Sequence, residues 1–260
     1  MGQTDAVGGE EDIGIDFFNG KTEWQPQILS DFGGIVADEY GFTGVEGLYA
    51  VGRSRFLDAG VYIGGFDLST TSTTGYLAAE GIYKYLEEKN KNDISVDEEI
   101  IDEKKTIYDN FYKKGIPSKQ VLRKIQELVF PYDVSILKNE QSLQFALDEL
   151  KRIQEELIPQ MGSEDPHYLM KSIETSAIAQ ITEMYLKASL MRRETRGGHY
   201  REDYPHRNDN EWLGWIKIYK NDKGMQLGFD NLPREKYKHS IEKYYQDNFC
   251  FPDKKQFAGK

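Results

Sequence analysis

The stretch that most constrains this chain runs from Arg192 to Pro205, at the end of a long helical pattern. Its fourteen residues hold four arginines, three carboxylates and one histidine. Charge this dense must stay in water or be paired, because an unpaired buried ion is costly. Arg196-Gly197-Gly198 breaks the helix, and Asp203-Tyr204-Pro205 forces an extended path after it. Two roles fit this order. Arginine forks facing nearby carboxylates can form bidentate pairs, giving an ion-paired clasp that pins the turn against the fold. Alternatively, Arg196 and Arg201 hold an anionic ligand, with His199 beside it as a catalytic acid or base whose imidazole titrates near neutral pH.

The pattern leading into this stretch runs from Pro166 to Arg196. Ile173, Ala177, Ile181, Met184, Tyr185, Ala188 and Met191 are expected to form its buried face. Upstream, Leu143, Ala146, Leu147, Leu150, Ile153 and Leu157 form a second apolar stripe at helical spacing. Ser118 is a suitable N-cap for a helix carrying Val121, Leu122, Ile125, Leu128 and Val129, which ends before Pro131. Ile101, Ile107, Phe111 and Tyr112 suggest a further helix that stops at Gly115. Short connections between such stripes predict an antiparallel helical bundle.

Residues 87–106 are rich in Glu, Asp and Lys, which places a boundary there. The expected domains are 1–90, 91–205 for the bundle, and 206–260 for a C-terminal hairpin and tail. In the last, Leu213 to Lys220 and Met225 to Phe229 have strand composition around an Asn221-Asp222-Lys223-Gly224 turn.

Residues 1–13 are expected to be frayed, and Asp16 to Lys21 reads as a strand entering an Asn19-Gly20 turn. Gly47-Leu48-Tyr49-Ala50-Val51-Gly52 reads as a buried strand, an apolar run bounded by glycines. A Gly64-Gly65 pair follows, then Asp67 as a possible N-cap and a helix through Leu86. This order fits a site whose helix N-terminus faces an anion or a carbonyl oxygen. It equally fits a plain βα unit with a glycine-rich turn.

A formal net charge of -11 argues against a nucleic-acid partner or an anionic membrane surface. No apolar run approaches the roughly 18 residues of a membrane span. The N-terminus has no basic region before an apolar segment, so it does not read as a secretory signal. Cys250 is the single cysteine and the four histidines are scattered, so no metal site is expected and a reducing, cytoplasmic setting fits.

Glu194-x-Arg196-Gly197-x-His199-x-Arg201-x-Asp203-x-Pro205 resembles the E-S-R-G-x-H-x-R-x-D-x-P signature of the fumarate reductase and succinate dehydrogenase flavoprotein family, with Thr195 in place of the usual Ser. L-aspartate oxidase and the adenylylsulfate reductase flavoprotein belong to the same family. Thr43-x3-Gly47-Leu48-Tyr49-Ala50-Val51-Gly52 resembles its second FAD-contacting motif, T-x3-G-L-Y-A-x-G-E, and Gly64-Gly65-Phe66-Asp67-Leu68 its G-G-N-S-L. Leu128 to Leu157 resembles its C-terminal helical domain. The resemblance implies FAD as cofactor, with Gly52, Arg53, Asp67 and Leu68 at the flavin-binding positions. The hydroxyl run Ser69 to Thr74 fits phosphate contacts, and better fits a cover over the flavin edge or a helix cap.

The chain departs from the family at Arg53, where a carboxylate is usual, and at Tyr62 and Leu29, which fall where the family has a substrate Arg and His. No G-x-G-x-x-G occurs in the sequence. The resemblance therefore implies a mixed α and β fold: the C-terminal part of an FAD-binding α/β domain, then the helical bundle, then a short β-hairpin tail. It implies an FAD-dependent oxidoreductase that moves a hydride between flavin and substrate once completed by an N-terminal flavoprotein half. An iron-sulfur electron-transfer subunit is the other implied partner, and through it a peripheral position at a membrane. The lost anchors also fit a non-catalytic interaction or structural subunit.

Overall fold

The computed structural model describes residues 33–55, 65–89, 98–233 and 235. They belong to two units, Met1–Asn90 and Lys91–Lys260. The strand expected at Asp16 to Lys21, Gly64 of the glycine pair, Leu29 and Tyr62 lie outside the described residues, as does the tail from residue 236.

In the first unit, the run Gly47 to Gly52 is not the buried strand its composition suggests. Phe42 and Tyr49 make a single antiparallel bridge, and Val51 leads into a one-turn 3-10 helix, Gly52–Ser54. Leu48 and Val51 are exposed. The cause is the backbone: Gly41, Gly44, Gly47 and Gly52 all have positive φ. A segment folded back this often cannot hold the extended geometry that a strand ladder needs.

Helix α1, Phe66–Glu88, follows. Its N-cap is Gly65 at φ 80°, not Asp67, which lies one residue inside the first turn. There its carboxylate suits the positive end of the helix dipole. The hydroxyl run does not cap the helix either. Thr70, Ser72 and Thr74 donate to carbonyls four residues back, and Thr74 Oγ1 accepts from the Gly52 N–H at 2.9 Å. One side of α1 packs on the preceding loop through Thr74, Ala78 and Gly81. A Cβ on Gly81 would lie 2.7 Å from the Tyr40 Cβ, so only glycine allows that approach.

The second unit opens with α2, Glu98–Phe111, and α3, Ser118–Val129, then the one-turn α4, Tyr132–Ser135. Pro117, not Ser118, occupies the N-cap of α3. A two-residue strand β1, Leu137–Lys138, leads into α5, Glu140–Arg152, whose Asn139 cap accepts from the Ser142 N–H at 2.9 Å. A π turn, Ile153–Leu157, and a 3-10 turn, Ile158–Gln160, then join α5 to the long helix α6, Pro166–Met191. Strand β2, Tyr200–Arg201, pairs parallel with β1, and the one-turn α7, Asp209–Trp212, precedes the hairpin of β3, Gly214–Asn221, and β4, Gly224–Asn231. The hairpin turns at Asp222-Lys223, as the composition predicts, and its strands run past the expected ends to pair Gly214 with Asn231.

Helices α3, α5 and α6 pack on one another around Val121, Ile125, Leu143, Leu150, Met161 and Leu186. The α5 stripe faces this core as its spacing predicts, with Leu143, Ala146, Leu147, Leu150 and Ile153 all buried. The face of α6 is different from the one expected. Leu169, Ser172, Thr175, Ala179, Thr182, Leu186 and Ser189 are buried, whereas Ile181 is 63% exposed. Three of these hydroxyls can face the core because they are satisfied on their own helix. Ser172, Thr175 and Thr182 donate to the carbonyls of Tyr168, Lys171 and Ile178. Their small cross-section also lets α3 and α5 approach closely. Apolarity alone therefore picks the wrong side of this helix.

The packing face is testable by size and charge. Ala179→Leu, at a site with no exposed surface, is expected to overpack the core and lower the unfolding free energy by about 1–3 kcal/mol. Ile181→Glu is expected to change it by no more than about 0.5 kcal/mol. Urea unfolding of the two variants checks both values, and the reverse order would restore the apolar face.

Candidate functional site

The charged stretch begins where α6 stops, at Met191. Arg196 and His199 exchange backbone hydrogen bonds of 2.8 and 2.9 Å around Gly197-Gly198, with Gly197 at φ 55°. This tight turn sends the chain back alongside itself. Extended segments place residues i and i+2 on the same side, and the sequence uses that spacing repeatedly: Arg192 with Glu194, Glu194 with Arg196, Arg201 with Asp203, Arg207 with Asp209.

Glu194 is the hub and has no exposed surface. Its carboxylate accepts from Arg192 Nη1 at 2.5 Å, from Arg196 Nε and Nη2 at 2.7 and 3.0 Å, and from the Asn208 N–H at 2.9 Å. The Arg192 guanidinium also reaches the Trp212 and Gly214 carbonyls at 3.0 and 2.7 Å, so it ties the end of α6 to the start of the hairpin. Arg196 also donates to Asp209 at 2.6 Å, and Arg207 binds the same carboxylate through two bonds. Burial alone would ease the proton off Arg196, but its bonds to Glu194 and Asp209 outweigh that and hold its pKa above the ordinary value. Burial likewise opposes the charge on Asp209, and the arginine bonds win.

Arg201 is fully buried. It binds Asp203 bidentately, both bonds at 2.7 Å, and donates to the Ser189 carbonyl at 2.6 Å. Asp203 in turn accepts from the Glu140 N–H at 3.0 Å, capping α5 from outside. Its pKa is lowered, chiefly by Arg201 and further by that backbone bond, against the opposing effect of burial. Thr195 keeps the hydroxyl of the serine usual at its place. It donates to the Tyr204 carbonyl at 2.9 Å and accepts from the Arg201 N–H at 2.9 Å.

His199 shares a 3.2 Å bond between Nε2 and the Arg192 carbonyl, which makes Nε2 the protonated nitrogen. Burial pushes its pKa down to about 4, assisted by the positive charge of Lys138 and opposed by the bond to the carbonyl. A neutral imidazole of this kind orients the turn and is a poor general acid at neutral pH. The three catalytic candidates, His199, Arg196 and Arg201, are brought together, and all are engaged with protein groups. Sequence reasoning missed Asp209 and Lys138. The i, i+2 spacing of Arg207 and Asp209 was the available signal for the first. For Lys138, nothing local signals that β1 lies beside β2.

The flavin-type positions lie in the first unit. Gly52 is buried and Arg53 pairs with Asp67 at 3.4 Å, both side chains about half exposed. Leu68 is 75% exposed. The N-cap of α1 is Gly65, and no side chain among the described residues caps its first amides. Arg53 thus stands beside a carboxylate, that of Asp67.

Residues 123–244 match the family model of the fumarate reductase flavoprotein C-terminus. In this C-terminal region the chain is similar to the fumarate reductase and succinate dehydrogenase flavoproteins. It is 27% identical over 236 residues to an uncharacterized FAD-dependent oxidoreductase of Methanocaldococcus jannaschii, a match covering 88% of this chain and 41% of the relative. A fumarate reductase (CoM/CoB) subunit of Methanothermobacter marburgensis is 26% identical over 202 residues, covering 75% of this chain and 36% of that protein. Among solved structures, a chain of E. coli quinol fumarate reductase shares the fold with a TM-score of 0.69 at 22% identity, over 77% of this chain and 36% of that one. The chain thus spans about two fifths of the length of the curated relatives it matches. The helix-rich second unit is the part that corresponds to the family's C-terminal domain. No helix among the described residues is long and apolar enough to cross a membrane.

Glu194→Ala leaves the buried end of Arg192 and the fork of Arg196 without their shared carboxylate. It is expected to cost about 3–5 kcal/mol, read as a fall in denaturation midpoint without loss of cooperativity. For His199 the folded pKa of about 4 lies below the ordinary 6.5. The stability due to neutral His199 is therefore complete above pH 6.5 and lost as pH falls toward 4. The charged groups facing His199 are Lys138, Arg192 and Arg201. His199→Gln, which cannot titrate, is expected to lose about 2 kcal/mol less stability than the parent between about pH 7 and about pH 5. Equal losses measured by urea titration would assign the acid sensitivity elsewhere.

Proposed function

We propose that this chain supplies the C-terminal part of an FAD site and the helical domain of a fumarate reductase/succinate dehydrogenase-like oxidoreductase, completed by an N-terminal dinucleotide-binding half. The observation that supports it most is the start of α1, capped by no side chain among the described residues, beside the Arg53–Asp67 pair, in a chain whose second unit is similar to the flavoprotein family. The first-turn amides of α1 suit a carbonyl oxygen at the edge of a flavin ring. Asp67 offers the acceptor for a ribityl hydroxyl, and Arg53 holds that carboxylate in place and offers a donor beside it. When bound, FAD would carry hydride transfer to or from a substrate. Gly52 and Leu68 would line the same edge. The antiparallel bundle would be the helical domain of the enzyme, and the electron partner would be an iron-sulfur protein.

A second reading is an interaction subunit without flavin chemistry. It is favoured by the commitment of Arg196 and Arg201 to Glu194, Asp209 and Asp203, which leaves these cations to the fold instead of to a dicarboxylate.

The test is co-expression with the dinucleotide-binding half. The purified complex is expected to be yellow, and Asp67→Ala to weaken flavin retention about tenfold, the loss of one hydrogen bond to a charged group. Because the Arg53–Asp67 pair is about half exposed, the same variant is expected to unfold at nearly the parent temperature. A stable complex with no flavin absorbance would leave the interaction-subunit reading. Substrate-dependent reduction of a dye by the complex would exclude that reading.

A further inference from the structure

Arginine carries five N–H donors, no acceptor and a permanent charge. Taking one of its donors out of water without an acceptor is costly, so such an atom in a folded chain calls for an explanation. Arg55 presents this case. Its Nε is buried with no hydrogen-bond partner, the single such side-chain atom among the described residues. Arg55 as a whole is only part-buried, so a small solute can reach it.

The main chain fixes where this side chain starts. The Arg55 N–H donates to the Gly52 carbonyl at 3.2 Å and closes the 3-10 turn. Ile35 bridges Arg55 in parallel, and its N–H donates to the Ser54 carbonyl at 2.8 Å. Gly52 is held in turn to α1 through the Thr74 hydroxyl. Two residues before Arg55, Arg53 stands against the Asp67 carboxylate at 3.4 Å. No carboxylate among the described residues pairs with Arg55 in the same way.

A water on Nε would satisfy the donor and leave the charge unmatched. An oxyanion does both. The edge of a guanidinium formed by Nε and one Nη presents two parallel N–H bonds, a spacing that fits two oxygens of one carboxylate or phosphate. We propose that Arg55 is an anion-binding residue that takes two oxygens of one such group through this edge. The proposal goes beyond the flavin site and needs no flavin. A net charge of -11 disfavours general collection of anions by this chain, so a saturable response to an anion marks a specific cation. A phosphorylated cofactor and a carboxylate substrate both carry the group in question, and the test separates them.

The experiment measures the thermal denaturation midpoint of the full chain against pyrophosphate and, separately, succinate, with sodium chloride at matched ionic strength as the reference. At least one of the two anions is expected to raise the midpoint saturably above the chloride reference. A response to pyrophosphate alone assigns the site to a phosphorylated ligand, and a response to succinate alone to a carboxylate ligand. Arg55→Gln is expected to leave the anion-free midpoint unchanged or raised, because Nε makes no bond in the parent, and to weaken the anion at least tenfold. Arg55→Lys keeps the charge without the paired edge and is expected to weaken it about tenfold. Parent affinity in Arg55→Lys would overturn the paired contact. No rise in the parent, or the same rise in Arg55→Gln, would overturn the proposal and leave a water on Nε. Either result would leave the proposed function standing, since that is read from flavin absorbance of the co-expressed complex.

Discussion

The second unit depends on one buried carboxylate. Glu194 sits at the end of α6 with no solvent contact and gathers two guanidinium groups and a backbone amide. A lone carboxylate there would be prohibitive; with all its bonds made, it becomes a fixed junction. Through Arg192 it holds the start of the hairpin, and through Arg196 and Asp209 it holds the start of α7. Arg201 and Asp203 repeat the device on the other side of the turn and carry it to the N-terminus of α5. The bundle, the short parallel bridge and the hairpin meet at these charges.

This construction explains why so polar a stretch can be buried. Glu194 and the arginines that serve it are matched at i±2 or by main-chain carbonyls, so desolvation is offset locally. It also explains His199. Buried beside Lys138, Arg192 and Arg201, its imidazole remains neutral and donates to a carbonyl, since burial and these charges outweigh the carbonyl's pull toward the protonated form. Chemistry in such a place is restricted; architecture is what these groups provide. The proposed cofactor contacts are in the first unit, where no side chain among the described residues caps the start of α1.

Much of the second unit was legible in the sequence. The α5 stripe, a turn at Gly197-Gly198 and the hairpin around Asp222-Lys223 follow from spacing and turn chemistry, although α6 stops at Met191, before the glycines expected to break it. The family signature was legible for the same reason that the clasp works: paired charges at fixed spacing leave few acceptable substitutions. Two features differ from expectation on physical grounds. The apolar run at 47–52 resembles a strand only if its glycines are ignored, and their positive φ angles preclude one. The buried face of α6 carries hydroxyls that satisfy themselves on their own helix, so polarity did not signal exposure.

The sequence by itself determined which residue types are available and at what spacing: an Arg/acid alternation, a helix stop, and a glycine-led helix start. These are local properties, set by backbone geometry and side-chain reach. Only the tertiary structure decided that Glu194 serves Arg192, Arg196 and Asn208 at once, that Lys138 lies beside the clasp, and that Asp67 stands by Arg53. Those depend on segments distant in sequence arriving at one place. Long-range pairing is chosen by burial and charge balance in the whole fold, and no local pattern encodes it.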